Sequence, residues 1–161
     1  MTHYYYHYPT PTGEMTVIEN GHAITGISFG RQHIPDGIYE QTPLLRIAGQ
    51  ELAEYFSGHR YHFDLPFEFE NGSPFEQRVW QALFDVPYGQ TASYREIADK
   101  IQSPKSTRAV GRALHKNPIA VCCPCHRVVG SNGSLTGYAG GLDRKKHLLD
   151  LERRQMCCPK E

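Results

Sequence analysis

Apolar residues are spaced differently in the two halves of this chain. In the first half, two runs rich in β-forming residues flank Asn20-Gly21, a dipeptide typical of hairpin turns. A stretch with helical spacing follows and ends at Gly58, and an alternating stretch comes after it. The predicted elements are strands at Met15–Glu19 and Ala23–Phe29, a helix at Leu44–Phe56 and a strand at Tyr61–Phe67. We therefore expect a small α/β domain over residues 1–70, the last residues of which belong to the polar linker Glu68–Ser73.

The second half has the spacing of helices. Ser73-Pro74-Phe75-Glu76 and Ser93-Tyr94-Arg95-Glu96 are capping boxes, in which a serine and a glutamate satisfy the first N–H groups of a helix. Helices are predicted from Pro74 to about Phe84, from Ser93 to about Ile101, from Ser103 to about His115, and over Leu142–Leu151. Two short helices joined by a tight turn favour a helix-turn-helix within a domain over residues 74–154. Residues 155–161 are predicted to form a mobile tail.

Charge is divided between the halves, although the whole chain has a net charge of zero. Residues 1–73 contain 3 Lys and Arg against 9 Asp and Glu, a net charge of −6. Residues 74–161 contain 14 against 8, a net charge of +6. This asymmetry favours an anionic partner for the second half, such as DNA phosphate. Mutual attraction of the two halves is the alternative, because charge bears on association and not on fold.

The third predicted helix combines two kinds of side chain. Its small residues are Thr107, Ala109, Gly111 and Ala113, and its basic ones are Arg108, Arg112 and Lys116. A helix with small side chains can approach a narrow minor groove closely. Such an approach would offset the cost of about 1 kcal/mol that a glycine has within a helix. Close packing against another helix is the alternative.

All five cysteines lie late in the chain, at positions 122, 123, 125, 157 and 158. An odd, crowded set differs from the even, dispersed spacing of a secreted disulfide framework. The first residues lack a basic region followed by an apolar core, and no apolar run is long enough to span a bilayer. We therefore expect a cytoplasmic protein with reduced thiols and no membrane partner.

One thiol has an imidazole directly beside it. The hexapeptide Pro124-Cys125-His126-Arg127-Val128-Val129 follows an apolar run, and Asn117-Pro118 precedes that run. A thiolate is a strong nucleophile, and a neighbouring histidine can take its proton or stabilise the ion. Adjacent Cys and His also occur by chance, so the interpretation depends on the longer motif.

The longer motif resembles the active-site signature of the O6-alkylguanine-DNA alkyltransferases, also called methylated-DNA–protein-cysteine methyltransferases. Further segments agree with this family in order and spacing over essentially all of residues 74–153, whereas the first half is only loosely similar. They are Phe75–Trp80, Pro87–Thr91, Ser93-Tyr94, Arg108–Gly111, Asn117-Pro118, Gly137–Gly141, and Lys145 with Leu148, Leu149 and Glu152. The segment Leu135–Gly141 is most similar to the small bacterial constitutive enzymes. The resemblance implies an α+β protein in which a ribonuclease H-like domain precedes a mainly helical, winged helix-turn-helix-like domain.

The resemblance also implies a reaction: DNA repair by transfer of the alkyl group from O6-alkylguanine to the protein. Cys125 is the implied nucleophile, His126 accepts its proton through a bridging water, and Glu152 orients His126. Tyr94 is implied to donate a proton or a hydrogen bond to guanine N3. Asn117 is implied to tie the recognition helix to the active-site loop. Nothing regenerates the Cys125 thiol, because a thioether is not readily hydrolysed, so each molecule should act once, without a cofactor or a metal.

The target carbon lies inside the duplex, so the nucleotide must be flipped out. The resemblance implies that Arg108 fills the vacated stack. The other residues implied at the DNA are Ser93, Tyr94, Thr107, Ala109, Gly111 and Arg112. The pocket is implied to consist of the main-chain carbonyls of Cys125 and Val128 and a wall formed by Tyr138, Ala139 and Gly140. The partner is double-stranded DNA containing O6-alkylguanine, and the protein is expected to act as a monomer.

Some residues also fit simpler roles, and others depart from the family. Spacing alone makes Arg108 an ordinary phosphate contact and Glu152 a solvated charge. Cys122 and Cys123 stand where relatives usually have branched apolar residues, and packing in the core accounts for them. The spelling C-x-x-C also leaves a redox or zinc site open. The first half contains no cysteine, so the zinc site of some relatives is expected to be absent. The tail segment Cys157-Cys158-Pro159-Lys160-Glu161 has no family counterpart.

Two other functions are compatible with a helix-turn-helix. A non-catalytic sensor of DNA damage, as in the alkyltransferase-like proteins, has another residue in place of the nucleophile, and Cys125 argues against it. A helix-turn-helix regulator has no use for the Cys-His motif. The preferred alkyl group, the relative activity on O4-alkylthymine and cooperativity on DNA are not determined by the sequence.

Overall fold

A computed structural model of the protein describes residues 2–157, without the side chain of Cys157. The chain forms two compact units. The first contains the residues up to Glu70 together with Pro118–Cys122, and the second contains Asn71–Asn117 and the residues from Cys123 onward. The remainder of the predicted tail, residues 158–161, lies outside the described residues.

The first unit is a four-stranded sheet with one helix. Its elements are β1 (Tyr4–Thr10), β2 (Gly13–Glu19), β3 (Ile24–Phe29), β4 (Ile38–Tyr39) and α1 (Pro43–Phe56). The strand order is β3-β2-β1-β4, with β4 parallel to β1 and the other pairs antiparallel. Helix α1 packs on β1 and β2, and its Leu45 and Leu52 are buried, as are Met15 and Val17 of β2. Burial of these apolar side chains stabilises the unit.

The hairpin predicted around Asn20-Gly21 is confirmed. The Asn20 side-chain oxygen accepts hydrogen bonds from the N–H groups of His22 and Ala23, both at 3.0 Å, and Gly21 has a φ of 92°. A short amide side chain and a glycine therefore make this turn for different reasons. Strand β1 was not predicted, although its tyrosines have high β-propensity.

The strand predicted at Tyr61–Phe67 is wrong. Burial does alternate from His62 onward, but the ladder is reduced to a single bridge between Phe67 and Ile24. Pro66 has no N–H to donate to a ladder, and only its carbonyl pairs, with the N–H of Ile24 at 2.8 Å. The alternation thus reports one-sided burial and not a strand.

The second unit is mainly helical. Its elements are α2 (Pro74–Leu83), β5 (Ala92–Ser93), α3 (Tyr94–Lys100), α4 (Thr107–His115), a 3₁₀ turn (Cys125–Arg127), β6 (Val128–Val129) and α5 (Leu142–Cys157). Strands β5 and β6 pair in parallel, and helices α2, α3 and α4 pack on one another. Both predicted capping boxes are confirmed. The Trp80 indole donates to the carbonyl of Ala113 at 2.8 Å and joins α2 to α4. The predicted α+β class with a mainly helical second part is confirmed.

Two helix boundaries differ from the prediction. Helix α4 begins at Thr107 and not at Ser103, because residues 103–106 form a turn in which the hydroxyls of Ser103 and Ser106 bond each other at 2.6 Å. Helix α5 continues to Cys157, so Glu152 lies within the helix and not after it. In the described part of the chain, every helix is too short or too polar to cross a membrane.

Candidate active site

Two tight turns precede Cys125. The N–H of Cys122 donates to the carbonyl two residues earlier at 2.7 Å, around Val121, whose φ of 66° is rare for a β-branched residue. The N–H of Cys125 makes the same kind of bond at 2.8 Å, around Pro124, whose φ of −81° and ψ of 64° are those of an inverse γ-turn. Cys125 then opens the 3₁₀ turn that leads into β6. The thiol is therefore carried by a short, strongly constrained segment.

His126 is held in one tautomer by Glu152. Its ring is fully buried, and its Nε2 lies 2.7 Å from Oε2 of Glu152. An ionised carboxylate only accepts hydrogen bonds, so Nε2 carries the proton and Nδ1 carries a lone pair. Nδ1 is buried and has no hydrogen-bond partner among the described residues. Burial lowers the pKa of His126, although the charge of Glu152 opposes the shift. A neutral imidazole with an accepting Nδ1 is what a general base requires.

Arg127, to which the sequence analysis assigned no role, binds Glu152 through two hydrogen bonds. Its Nε and Nη2 donate to the two carboxylate oxygens at 2.9 and 3.1 Å, and its Nη1 donates to the carbonyl of Val86 at 2.8 Å. The N–H of Gly89 adds a further donor to Glu152 at 3.2 Å. Burial alone would raise the pKa of Glu152, but the interaction with His126 and the hydrogen bonds and charge of Arg127 lower it to about 2. Glu152 is 1% exposed and ionised, so it is not a solvated charge.

The Cys125 thiol is protonated at rest. Burial raises its pKa, and the neighbouring Asn117 and Tyr138 side chains and the charge of Lys145 only partly compensate. Asn117 also donates through Nδ2 to the carbonyl of Cys123 at 2.9 Å, which links the end of α4 to the turn before the thiol. The thiol therefore becomes a nucleophile only when a base removes its proton.

Lys145 is a second residue to which the sequence analysis assigned no role. It is 1% exposed, and its Nζ donates to the carbonyls of Val128 at 2.5 Å and Thr136 at 3.3 Å. Burial lowers its pKa, and the negative charge that Cys125 carries when ionised opposes the shift. The spacing of residues along α5 could have predicted that Lys145 is buried. Lys145 lies three, four and seven residues before Leu148, Leu149 and Glu152. Those positions share one helix face, and all four are buried.

A small cavity borders the thiol. Its volume is about 10 Å³, and it is lined by Leu114, His115, Cys125, Gly137, Tyr138 and Ala139. That volume holds about one water molecule. Of the other predicted pocket residues, Val128 presents its carbonyl to Lys145, and the carbonyl of Gly140 accepts a hydrogen bond from Arg144 at 3.2 Å.

The residues predicted at the DNA lie on α3 and α4, except for Ser93, which ends β5 and is the N-cap of α3. Thr107, Arg108 and Arg112 are exposed, and Ala109 and Gly111 are half-buried. A Cβ added at Gly111 would meet only Tyr94 Cε1, at 3.8 Å, an ordinary contact. Packing within the described unit therefore does not explain the glycine. Ser93 caps α3 through its hydroxyl, and the hydroxyl of Tyr94 is hydrogen-bonded to that of Thr136.

The geometry around the C-x-x-C segment, residues 122–125, does not support the alternative of a redox or zinc site. Cys122 and Cys123 are buried, and the Cys123 thiol donates to the carbonyl of Trp80 at 3.4 Å. Among the residues that the structure describes, no group of three or more His, Cys, Asp or Glu side chains is arranged to hold a metal ion. These positions agree with the core-packing interpretation.

The second unit is mainly helical, and in it a buried cysteine directly precedes a buried histidine that is hydrogen-bonded to a carboxylate. The family described as "6-O-methylguanine DNA methyltransferase, DNA binding domain" matches residues 74–154, and its "ribonuclease-like domain" matches residues 3–69. The chain therefore belongs to the 6-O-methylguanine DNA methyltransferase family, and the predicted ribonuclease-like first domain is confirmed.

Curated relatives and solved structures support the same family assignment. The chain is 42% identical over 158 residues to the constitutive methylated-DNA–protein-cysteine methyltransferase of Bacillus subtilis, covering 93% of this chain and 95% of that one. It is 43% identical over 153 residues to the Mycobacterium tuberculosis enzyme of that name, covering 91% and 92%. A crystal structure of Mycobacterium tuberculosis O6-methylguanine methyltransferase has a TM-score of 0.89 and 38% identity, covering 99% and 97%. Mycobacterium tuberculosis OGT in complex with DNA has a TM-score of 0.88 and 40% identity, covering 94% of each chain.

Proposed function

We propose that this protein is a methylated-DNA–protein-cysteine methyltransferase that repairs O6-alkylguanine in double-stranded DNA by moving the alkyl group to Cys125. The observation that carries the proposal is the buried pair in which Glu152 fixes Nε2 of His126 at 2.7 Å and leaves Nδ1 to accept a proton. A helix-turn-helix in the same unit supplies a means of binding DNA. No cofactor is required, because the protein supplies the nucleophile and the DNA supplies the alkyl group.

The reaction begins with the thiol proton. His126 takes it at Nδ1 through a bridging water, and the resulting imidazolium is stabilised by Glu152. The thiolate attacks the alkyl carbon, a carbon–sulfur bond forms, and the bond from that carbon to O6 breaks. The bonding electrons leave with guanine, which takes up one proton and departs neutral. The thioether on Cys125 is not hydrolysed, so each molecule reacts once.

Groups around the base assist its departure. Tyr94 donates a proton or a hydrogen bond to N3, where charge develops as the guanine leaves. The main-chain carbonyls of Cys125 and Val128 accept hydrogen bonds from the guanine amino group. Tyr138, Ala139 and Gly140 form the wall on the O6 side, where missing side chains let N–H groups approach. Asn117 keeps the recognition helix in register with the thiol.

The reacting nucleotide has to leave the duplex. We infer that α4 enters the minor groove and that Arg108 occupies the vacated stack. Further DNA contacts come from α4, from the N-cap of α3 and from its first residue: Thr107, Ala109, Gly111, Arg112, Ser93 and Tyr94. Residues 1–70 form a structural domain, and residues 74–154 form the domain that binds DNA and transfers the alkyl group. O4-alkylthymine is a second substrate, and the protein acts as a cytoplasmic monomer.

The proposal is tested by comparing Cys125→Ser with Cys122→Ser. Both replace a buried thiol by a hydroxyl within the same four residues. We expect Cys125→Ser to lose all transfer and still bind DNA, and Cys122→Ser to retain transfer. A Cys125→Ser protein that keeps full repair or regulatory activity would contradict the proposal and favour the sensor or regulator.

A further inference from the structure

The loop before α5 is connected to the residue proposed to protonate the leaving base. The side-chain hydroxyl of Thr136 is hydrogen-bonded to the hydroxyl of Tyr94, 42 residues away in sequence. The same residue's main-chain carbonyl accepts a hydrogen bond from the buried ammonium of Lys145 at 3.3 Å. Thr136 is thus held by its backbone and presents its side chain to Tyr94.

The donor and acceptor roles follow from the number of hydrogens. A tyrosine hydroxyl has one hydrogen to donate and two lone pairs to accept with. Without substrate, either hydroxyl can be the donor of the pair. When Tyr94 commits its hydrogen to guanine N3, Thr136 can only donate. A hydrogen bond to the tyrosine oxygen stabilises the negative charge that grows there as the proton moves to N3, and hydrogen bonds to charged groups are the stronger ones.

We propose that Thr136 is a positioning residue for alkyl transfer, which orients Tyr94 and strengthens it as a proton donor to the departing guanine. This inference rests on the proposed function, and in particular on the role of Tyr94. The residues involved lie on three elements of the second unit: α3 carries Tyr94, the loop carries Thr136, and α5 carries Lys145.

The chain offers a matched pair of variants. Thr136→Val keeps the shape of the side chain and removes the hydroxyl, and Thr136→Ser keeps the hydroxyl. The rate constant of methyl transfer is measured by rapid quench at saturating duplex DNA containing one O6-methylguanine. Affinity for the same DNA is measured in a Cys125→Ser background, and thermal unfolding checks the fold. Loss of one hydrogen bond to a developing charge corresponds to about a tenfold slower transfer.

We expect Thr136→Val to slow transfer about tenfold with unchanged DNA affinity, and Thr136→Ser to react at close to the wild-type rate. In a Tyr94→Phe background, Thr136→Val should cause no further loss, because the residue acts through the tyrosine hydroxyl. A substrate with carbon in place of N3 should likewise react at the same rate with wild type and Thr136→Val.

Two results would overturn the inference: wild-type rates in Thr136→Val, or an undiminished effect of that substitution in the Tyr94→Phe background. Failure of the proposed function itself is distinguishable, because then the wild-type protein transfers no methyl group.

Discussion

Replacing Glu152 by glutamine should destabilise the protein in a way that depends on pH. The carboxylate accepts hydrogen bonds from His126, from Arg127 and from the N–H of Gly89. Glutamine is nearly the same size but has no charge, so the buried Arg127 guanidinium loses its counter-charge. Removing one partner of a buried ion pair typically costs about 3–5 kcal/mol.

The pKa of Glu152 provides a second estimate of the stability that the Glu152→Gln substitution removes. Its folded-state value of about 2 lies below the ordinary value of 4.5. That difference corresponds to about 3 kcal/mol at neutral pH. A depressed carboxyl pKa stabilises the fold above the unfolded-state pKa, and the contribution is lost as the pH falls towards the folded-state value. We expect it to decline to about 1.4 kcal/mol at pH 3.

The assay is urea unfolding of wild type and Glu152→Gln between pH 7 and pH 3. Asp150→Asn, on the same helix, is the matched control and should change stability by less than about 0.5 kcal/mol. An Arg127→Met and Glu152→Gln double variant should lose less than the sum of the two single variants, because the charges are removed together. A cost below about 1 kcal/mol at pH 7, or one that does not change with pH, would refute the reasoning.

Three further predictions concern helix α4 and the Cys125 thiol. Gly111→Ala should raise the free energy of unfolding by about 0.5–1 kcal/mol and weaken DNA binding in fluorescence anisotropy; unchanged affinity would contradict close approach of α4 to DNA. Arg108→Ala should slow transfer from duplex DNA much more than reaction with a free base analogue, and equal effects in single-turnover assays would argue against a role in flipping. Lys145→Met removes a positive charge that lowers the Cys125 pKa. The pH profile of iodoacetamide alkylation should therefore move to higher pH, and an unmoved profile would exclude that charge effect.

Features encoded locally could be predicted from the sequence. Both capping boxes, around Ser73 and Ser93, start helices where the pattern indicated. The reason is that a cap satisfies N–H groups within three residues of itself. The start of α4 was misplaced because Ser103-Pro104 looks like a cap, whereas Ser103 and Ser106 bond each other in a turn.

Local patterns did not predict contacts between distant residues, and the contact of His126 with Glu152 was expected only from the family resemblance. Arg127 and Glu152 are 25 residues apart, and nothing local indicates that a guanidinium beside the nucleophile binds the carboxylate on α5. The pairing of Tyr94 with Thr136 spans 42 residues and likewise depends on how the loop folds back. The spacing of apolar residues predicts which face of a helix is buried, but it does not predict which polar group of another element contacts that face.

The central claim is that the protein takes the methyl group onto Cys125. The most direct test is to measure the intact mass before and after incubation with duplex DNA carrying one O6-methylguanine, and then to map the modified peptide. The account predicts a gain of one methyl group on Cys125 per molecule and no second turnover. An unchanged mass in freshly reduced protein, or a methyl group on Cys122 or Cys123, would contradict it.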